Sequence, residues 1–410
     1  MGADSTLSIP NLGQTPITGS KISRISSIDL YRGIIMIIMC LDHVRDYFHT
    51  DALKYDPLDL SQTSVLLFFT RFITHYCAPT FMLLAGVSAF LSGQRKTKQE
   101  LSIFLIKRGL WLIFVELVIM DFGWMFNPSF PYLMFIVIWA LGLSMILLGG
   151  LIYLPRNILL GFSLVLIFGH NLLDLVQVPG QGMGALLWGL VHKQSFFQFG
   201  SEHYFVGYPI VPWVGVMSLG YCLGNWYTKD FDPIKRKKNL LYFGVGSLLL
   251  FILFRGINIY GDPNPWTVQS SPVYTFLSFL KVAKYPPSLD YILITLGPGF
   301  LFLAFSESWK GKWVDIASVY GRVPMFYYIL HIYLIHILIM IADGIFTPVP
   351  WTAWFLKDPI WFSHSLNGSG FSLGVVYLVW AFVVIALFPL CKWYDGYKQA
   401  NKDKWWLSYL

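Results

Sequence analysis

Charge is what this chain of 410 residues has least of: Asp, Glu, Lys and Arg make up only 12% of it, about half the share of a typical soluble domain. That scarcity excludes a water-soluble fold with an ordinary charged surface. Cysteine is nearly absent as well. The four present, Cys40, Cys77, Cys222 and Cys391, lie in or beside apolar runs without paired or histidine-linked spacing, so neither a disulfide framework nor a metal site is expected. Residues 1–26 hold no apolar core followed by a small-residue cleavage site, which argues against a cleavable signal peptide. They are polar and rich in Gly, Pro, Ser and Thr, the composition of a disordered tail. The opening MGADST also fits an N-myristoylation pattern, a short motif that many unmodified proteins match by accident.

Apolar length is what the chain has instead. Hydrophobic residues make up 56% and aromatics 18%, and the mean hydropathy is +0.59. Runs long enough to cross a hydrocarbon core of about 30 Å recur from end to end. The expected fold class is therefore all-α, a polytopic integral membrane protein. Ten spans are expected, at 27–48, 65–92, 101–122, 131–153, 157–175, 204–227, 239–257, 288–306, 320–343 and 369–391. They form one transmembrane domain over 27–392, followed by a tail over 393–410. With connections on alternate sides, 21 of the 29 Lys and Arg fall on the side of the two termini and 8 on the other. The positive-inside rule then puts both termini in the cytoplasm. The net charge of +7 is thereby accounted for by topology, and no nucleic-acid partner is needed to explain it. The longest outer connections, 176–203, 258–287 and 344–368, contain stretches such as NPWTVQSSPVY and FTPVPWTAWFLKDPIWF. These suit aromatic caps lying over a cavity, or an interfacial aromatic belt.

Within the first span, RGIIMIIMCLDHVRDYFH begins as an ordinary membrane helix and then acquires Asp42, His43, Arg45 and Asp46. At a rise of about 1.5 Å per residue, His43 lies about 22 Å along a helix that starts near Ile28, in the outer third. Arg71 and His75 on the second span, Glu116 and Asp121 on the third, and His170 and Asp174 on the fifth fall in the same outer half. Polar groups from several helices at one depth imply a water-accessible cavity. Asp42, Arg45, Asp46 and His49 follow an i, i+3, i+4, i+7 pattern and share one helix face. His170 and Asp174 are four apart, which suits either a carboxylate orienting an imidazole or a polar clamp between helices. At the other end stand Asp29, Arg32, Lys107, Arg108 and, in YGRVP, Arg322. Cations at inner helix ends usually snorkel to lipid phosphate. Arg32, however, lies inside the helix beside Gly33, where a backbone can closely approach a phosphate-bearing ligand. His331 and His336, in LHIYLIH, project about 140° apart and cannot face one site, so one is expected to be a packed interhelical hydrogen-bonder.

A cationic inner end joined by one helix to a histidine-bearing outer cavity suits a long anionic donor such as an acyl-coenzyme A. The segment RISSIDLYRGIIMIIMCLDH resembles the opening helix of two groups of membrane acyltransferases, the heparan-α-glucosaminide N-acetyltransferase-like family and the bacterial family that O-acylates surface polysaccharides. DLSQTSVLLFFTRFITHYCAPTFMLLAG, FGHNLLD, YPIVPWVGVMSLGY, KYPPSLDYILITLGP and GRVPMFYYILHIYLIH look like bacterial members of the first. In the polysaccharide family an arginine precedes a catalytic histidine by eleven residues, a spacing matched by Arg32 and His43. In the heparan-type family the S-x-D-x-x-R-G opening is matched by Ser27, Asp29, Arg32 and Gly33, and the reactive histidine lies in the following outer loop, where His49 is the nearest candidate. Of the arginine pair spaced three apart in the polysaccharide family, only Lys107–Arg108 stands nearby.

The resemblance implies acetyl or acyl transfer from cytoplasmic acyl-CoA to an extracytoplasmic sugar amine or hydroxyl, with no metal. Asp29, Arg32, Arg108 and Arg322 would attend the coenzyme A phosphates. His43, or else His49, would act as general base or transient acyl carrier. Asp42 or Asp46 would orient it, Arg71 or His75 would stabilise the oxyanion, and His170, Asp174, Trp213 and Trp351 would contact the acceptor. The partners implied are membrane lipids, acyl-CoA and a glycan or amino sugar, with a homodimer left open. Two other classes use similar residues. A proton-coupled transporter or flippase also needs intramembrane Asp, His and Arg, but inverted repeats and paired broken helices are not seen. A non-catalytic assembly subunit would use the same polar groups only to hold helices together.

Overall fold

The structure, a computed structural model, describes residues 26–363 and 366–408. The expected tail at the N-terminus and its lipidation motif lie outside the described residues. The first helix, α1 (Ser26–Phe48), is followed by α2 (Val65–Phe72), which runs through a short 3₁₀ turn into α3 (Cys77–Gly93). Next come α4 (Lys98–Phe114), a π-helical segment over Val115–Met120, α5 (Asp121–Met125), β1 (Tyr132–Phe135), α6 (Val137–Leu151) and α7 (Arg156–Gly169). The middle of the chain forms α8 (Met183–Val191), β2 (Ser195–Phe199), β3 (Glu202–Val206), α9 (Val211–Leu223) and α10 (Pro233–Ile257). The last part forms α11 (Pro272–Leu280), α12 (Leu289–Ser306), α13 (Lys312–Arg322), α14 (Pro324–Phe346) and α15 (Leu373–Ala400).

Among the described residues, six helical stretches are long and apolar enough to cross a membrane: α2–α3, α7 with its 3₁₀ extension, α10, α12, α14 and α15. The chain is an integral membrane protein on that ground. Of the other expected spans, α1 carries Asp29, Arg32, Asp42, Arg45 and Asp46, and α6 has only 15 residues. Two expected spans begin differently from the sequence reading. The stretches over 131–153 and 204–227 open as strands because Tyr132–Phe135 pairs in parallel with His203–Val206, which pairs antiparallel with Ser195–Phe199. A short apolar run reads the same way for a strand as for a buried helix turn. The expected helix over 320–343 is broken at Val323, with α13 ending at Arg322 and Pro324 opening α14, where a ring without an N–H is tolerated.

Helices meet through glycine. The most extensive helix pairings are α1 with α13, α3 with α9, α4 with α6 and α10 with α12. In each, a glycine of one helix faces a glycine of the other: Gly33 with Gly321, Gly86 with Gly220, Gly109 with Gly142, and Gly244 with Gly297. A Cβ at Gly33 would stand 1.8 Å from the carbonyl oxygen of Ala317, and one at Gly321 would stand 1.9 Å from that of Asp29. Lipid tails supply no hydrophobic drive between helices, so close backbone approach over small residues is how such contacts are made. Gly33, expected to admit a ligand, therefore admits α13.

Candidate active site

One face of α1 builds the first cavity, which has a volume of about 370 Å³. Asp42, His43, Arg45 and Asp46 line it from α1, Arg71 from α2 and Trp124 from α5. The three aromatic connections all reach it, through Gln194, Lys284 with Tyr285, and Trp361 with Phe362. The second and third are tied down from behind. The Arg255 guanidinium at the end of α10 donates to the carbonyls of Asn264, Ser278, Phe279 and Lys281, which gathers the loop that presents Lys284 and Tyr285. Asp343 accepts from Trp354 Nε1 at 2.8 Å and Ser369 Oγ at 2.5 Å, and so holds the loop that carries Trp361. The buried carboxylate of Glu116 accepts the amides of Ile138 and Trp139, and that of Asp121 accepts the amide of Met134. These two acids anchor the β1–α6 junction.

Asp42 is the electrostatic hub. It accepts both oxygens' share of Arg71 Nη1, at 2.8 and 2.7 Å, and the hydroxyl of Thr74 at 2.8 Å. Arg45 stands at 2.8 Å and Lys284 Nζ at 3.8 Å. Asp46 pairs with the other side of Arg45 at 2.6 Å and accepts from Trp361 Nε1 at 3.1 Å. A buried carboxylate needs such compensation, because the desolvation of an unpaired charge costs several kcal/mol. The structure thus places neither acid on the His43 ring.

His43 is held by another histidine. Its Nδ1 lies 2.6 Å from His331 Nε2, and the two rings stack with centroids 4.9 Å apart. His331 Nδ1 in turn lies 2.9 Å from the carbonyl oxygen of Tyr327. A carbonyl can only accept, so His331 Nδ1 carries the proton, and its Nε2 accepts when the ring is neutral. His43 Nδ1 must then donate, which leaves the lone pair of a neutral His43 on Nε2. The cavity-lining imidazole is fixed in the tautomer of a base.

A second cavity, of about 190 Å³, lies on the Arg32 side. Arg32, Ser88, Ser92 and Arg108 line it together with an apolar remainder that includes Met36, Met39, Phe81, Phe104 and Leu105. Arg32 donates to Gly321 O and Ser88 Oγ, both at 3.0 Å, and lies 3.5 Å from Asp29. Val137 and Tyr328 line both cavities, so the two abut there.

Several residues singled out in the sequence lie elsewhere. His49 is buried just past α1, where the amide of Asp51 donates to its Nδ1 at 3.3 Å, and burial holds its pKa below the ordinary histidine value. It does not line the cavity. His75 packs between Phe72 and Tyr291 behind it. Asp174 does not orient His170. It binds His192 Nε2 at 2.7 Å, while His170 faces the carbonyls of Leu166, Ile167 and Pro287. Trp213 is wholly buried against Tyr208, and Trp351 is exposed on the surface. Arg322 is clamped by Asp395 at 2.7 Å and does not line the Arg32-side cavity. His336 faces the carbonyls of Gly123 and Trp354, the packed member of its pair. The sequence reading missed Lys284, Tyr285, Trp124, Trp361 and Tyr328. Lys284 was detectable as a lysine in KYPPSLDY on the side poor in cations, but the loop fold that turns it inward was not.

Residues 24–256 match the family model described as heparan-alpha-glucosaminide N-acetyltransferase, catalytic. The chain belongs to this family. Membership makes it a membrane acetyltransferase by kind, and the matched region runs from the S-x-D-x-x-R-G opening through α10, taking in His43, Arg71, Trp124 and both arginines of the second cavity. His331 and Tyr328, which complete the centre, lie beyond the matched residues. No curated protein matches the chain.

Proposed function

We propose that the protein moves an acetyl or short acyl group from acyl-coenzyme A, bound on the Arg32 side, to a sugar amine or hydroxyl held in the His43 cavity. The observation that carries this is the abutment of the two cavities at Val137 and Tyr328, one lined by arginines and an apolar slot, the other by a histidine fixed as a base. Arg32 and Arg108 attract the coenzyme A phosphates, as guanidinium groups do. The pantetheine arm follows the methionine- and leucine-lined slot, and the thioester arrives beside His43. His43 Nε2 takes the acceptor's proton as the amine or hydroxyl attacks the thioester carbon. When the tetrahedral intermediate collapses the C–S bond breaks, and the proton passes to the departing coenzyme A thiolate. In the two-step form, Nε2 itself attacks the thioester carbon, and the C–S bond breaks as the coenzyme A thiolate leaves. The acyl group stays on Nε2 until the acceptor attacks it; the N–acyl bond then breaks, and the acceptor's proton passes to the coenzyme A thiolate or back to Nε2. The charge asymmetry of the connections makes the Arg32 side cytoplasmic and the acceptor extracytoplasmic.

The test is transfer from radiolabelled acetyl-coenzyme A by purified protein in lipid vesicles, with glucosamine and an amino-sugar mixture as acceptors. Acetylated acceptor is expected with the unmodified chain, and a loss on the order of 10²–10⁴-fold with His43→Ala at unchanged folding. Absence of coenzyme A binding and of turnover with every acceptor would overturn the reading and favour a transporter.

A further inference from the structure

The tetrahedral intermediate places negative charge on the former thioester oxygen, and the groups expected to receive it are otherwise engaged. Arg71 is spent on both oxygens of Asp42, and His75 lies behind the cavity wall. Two other donors are bound to no third group. Tyr328 Oη and Trp124 Nε1 have no hydrogen-bond partner among the described residues, though each side chain is only 3% exposed. They interact with each other, the Trp124 indole N–H directed at the Tyr328 oxygen at a geometry short of a full hydrogen bond. Both line the His43 cavity, and Tyr328 also lines the cavity behind it. The His43 ring centroid is 5.1 Å from Trp124 and 5.9 Å from Tyr328, edge-on to both.

Trp213 Nε1 and Tyr227 Oη, also buried without partners, line neither cavity, and Arg45, which lines the His43 cavity with its Nε unpartnered, is held by ion pairs to Asp42 and Asp46. An orphaned buried donor costs on the order of 1–3 kcal/mol, so two side by side on a cavity, flanking a fixed base, call for an acceptor that is not part of the resting protein. Both are held rigidly. The Trp124 ring stacks on Tyr47 at 5.7 Å, and its own carbonyl accepts the Tyr47 hydroxyl at 2.8 Å. Tyr328 stands one helical turn before His331 on α14, so one helix face positions both the base and the donor.

The geometry points to Tyr328 and Trp124 as the oxyanion hole of the transfer, receiving the thioester oxygen where the two cavities join. This rests on the acyl-transfer reading above. The phenol O–H and the indole N–H each donate to the oxygen as it gains charge, while His43 Nε2 faces the attacking atom. Both donors are neutral and cannot lose their role to ion pairing, unlike the arginines around Asp42. Preorganised donors of this kind are worth most in a site from which water is excluded.

The experiment compares the unmodified protein with Tyr328→Phe and Trp124→Phe in the vesicle assay, with coenzyme A binding measured separately by calorimetry and folding by thermal midpoint. Each variant is expected to lose on the order of 10²–10³-fold in kcat with KM for acetyl-coenzyme A little changed. The proposal is overturned if the unmodified protein turns over and either variant stays within about threefold of it. It is equally overturned if activity falls only together with coenzyme A binding or the thermal midpoint, since that is the signature of packing. If the unmodified protein transfers nothing while binding coenzyme A, it is the acyl-transfer reading that fails.

Discussion

Asp42 and His43 are neighbours in the chain with separate work. Asp42 gathers Arg45, Arg71, Thr74 and Lys284, and His43 turns toward His331. Removing the carboxylate charge leaves three cations facing one another in a site that is nearly closed to water. Asp42→Asn is therefore expected to destabilise the protein by about 3–5 kcal/mol, the cost of breaking a buried pair from one side; a detergent thermal melt within about 1 kcal/mol of the unmodified chain would refute the hub. His331→Ala acts differently. It removes the acceptor that keeps the proton on His43 Nδ1, so Nε2 is no longer fixed as the base. An activity loss on the order of 10²–10⁴-fold at unchanged KM is expected, with the alkaline and acid limbs of the pH–rate profile displaced. An unchanged pH profile would make His331 a packing residue only.

At the scale of elements, the helices owe their positions to glycines far apart in sequence. Gly33→Ala and Gly321→Ala would each drive a methyl group into a carbonyl less than 2 Å away, forcing α1 and α13 apart and stretching the Arg32–Gly321 hydrogen bond. Each is expected to cost at least the about 1–3 kcal/mol of an overpacked core. Gly161→Ala in α7, where an added Cβ meets nothing within 4 Å, serves as the control and is expected to be neutral or slightly stabilising, since alanine is the better helix former. Equal melting temperatures for Gly33→Ala and Gly161→Ala would remove the close crossing. The apolar runs made most helices readable, because length and composition suffice for that. The partner of each glycine was not readable, since nothing local connects Gly33 to a residue 288 positions later. The three-stranded sheet was hidden for the same reason: β1 is strand only because β3 lies beside it.

For the whole molecule, the sequence placed polar groups at two levels, and the structure resolves them into two cavities that meet. Arg32, Arg108, Asp42, His43, Asp46 and Arg71 were legible because charge in an apolar helix is conspicuous and spacing shows its face. His170, Asp174 and Trp351 were equally conspicuous, but they bind loops or lie at the surface, and spacing alone does not separate those roles. Which side is cytoplasmic rests on the lysine and arginine asymmetry, and it decides whether the donor reaches the right cavity. Lys229 precedes α10 on the cation-rich side and Lys193 follows α8 on the other, and both are exposed. The four native cysteines are buried, so a membrane-impermeant maleimide applied to intact bacterial cells should label Lys193→Cys and spare Lys229→Cys, with the order reversed in inside-out vesicles. Labelling of Lys229→Cys from outside would invert the protein. The arginine-lined cavity would then belong to the external half, where acyl-coenzyme A is not supplied, and the donor would have to be sought among extracytoplasmic acyl carriers.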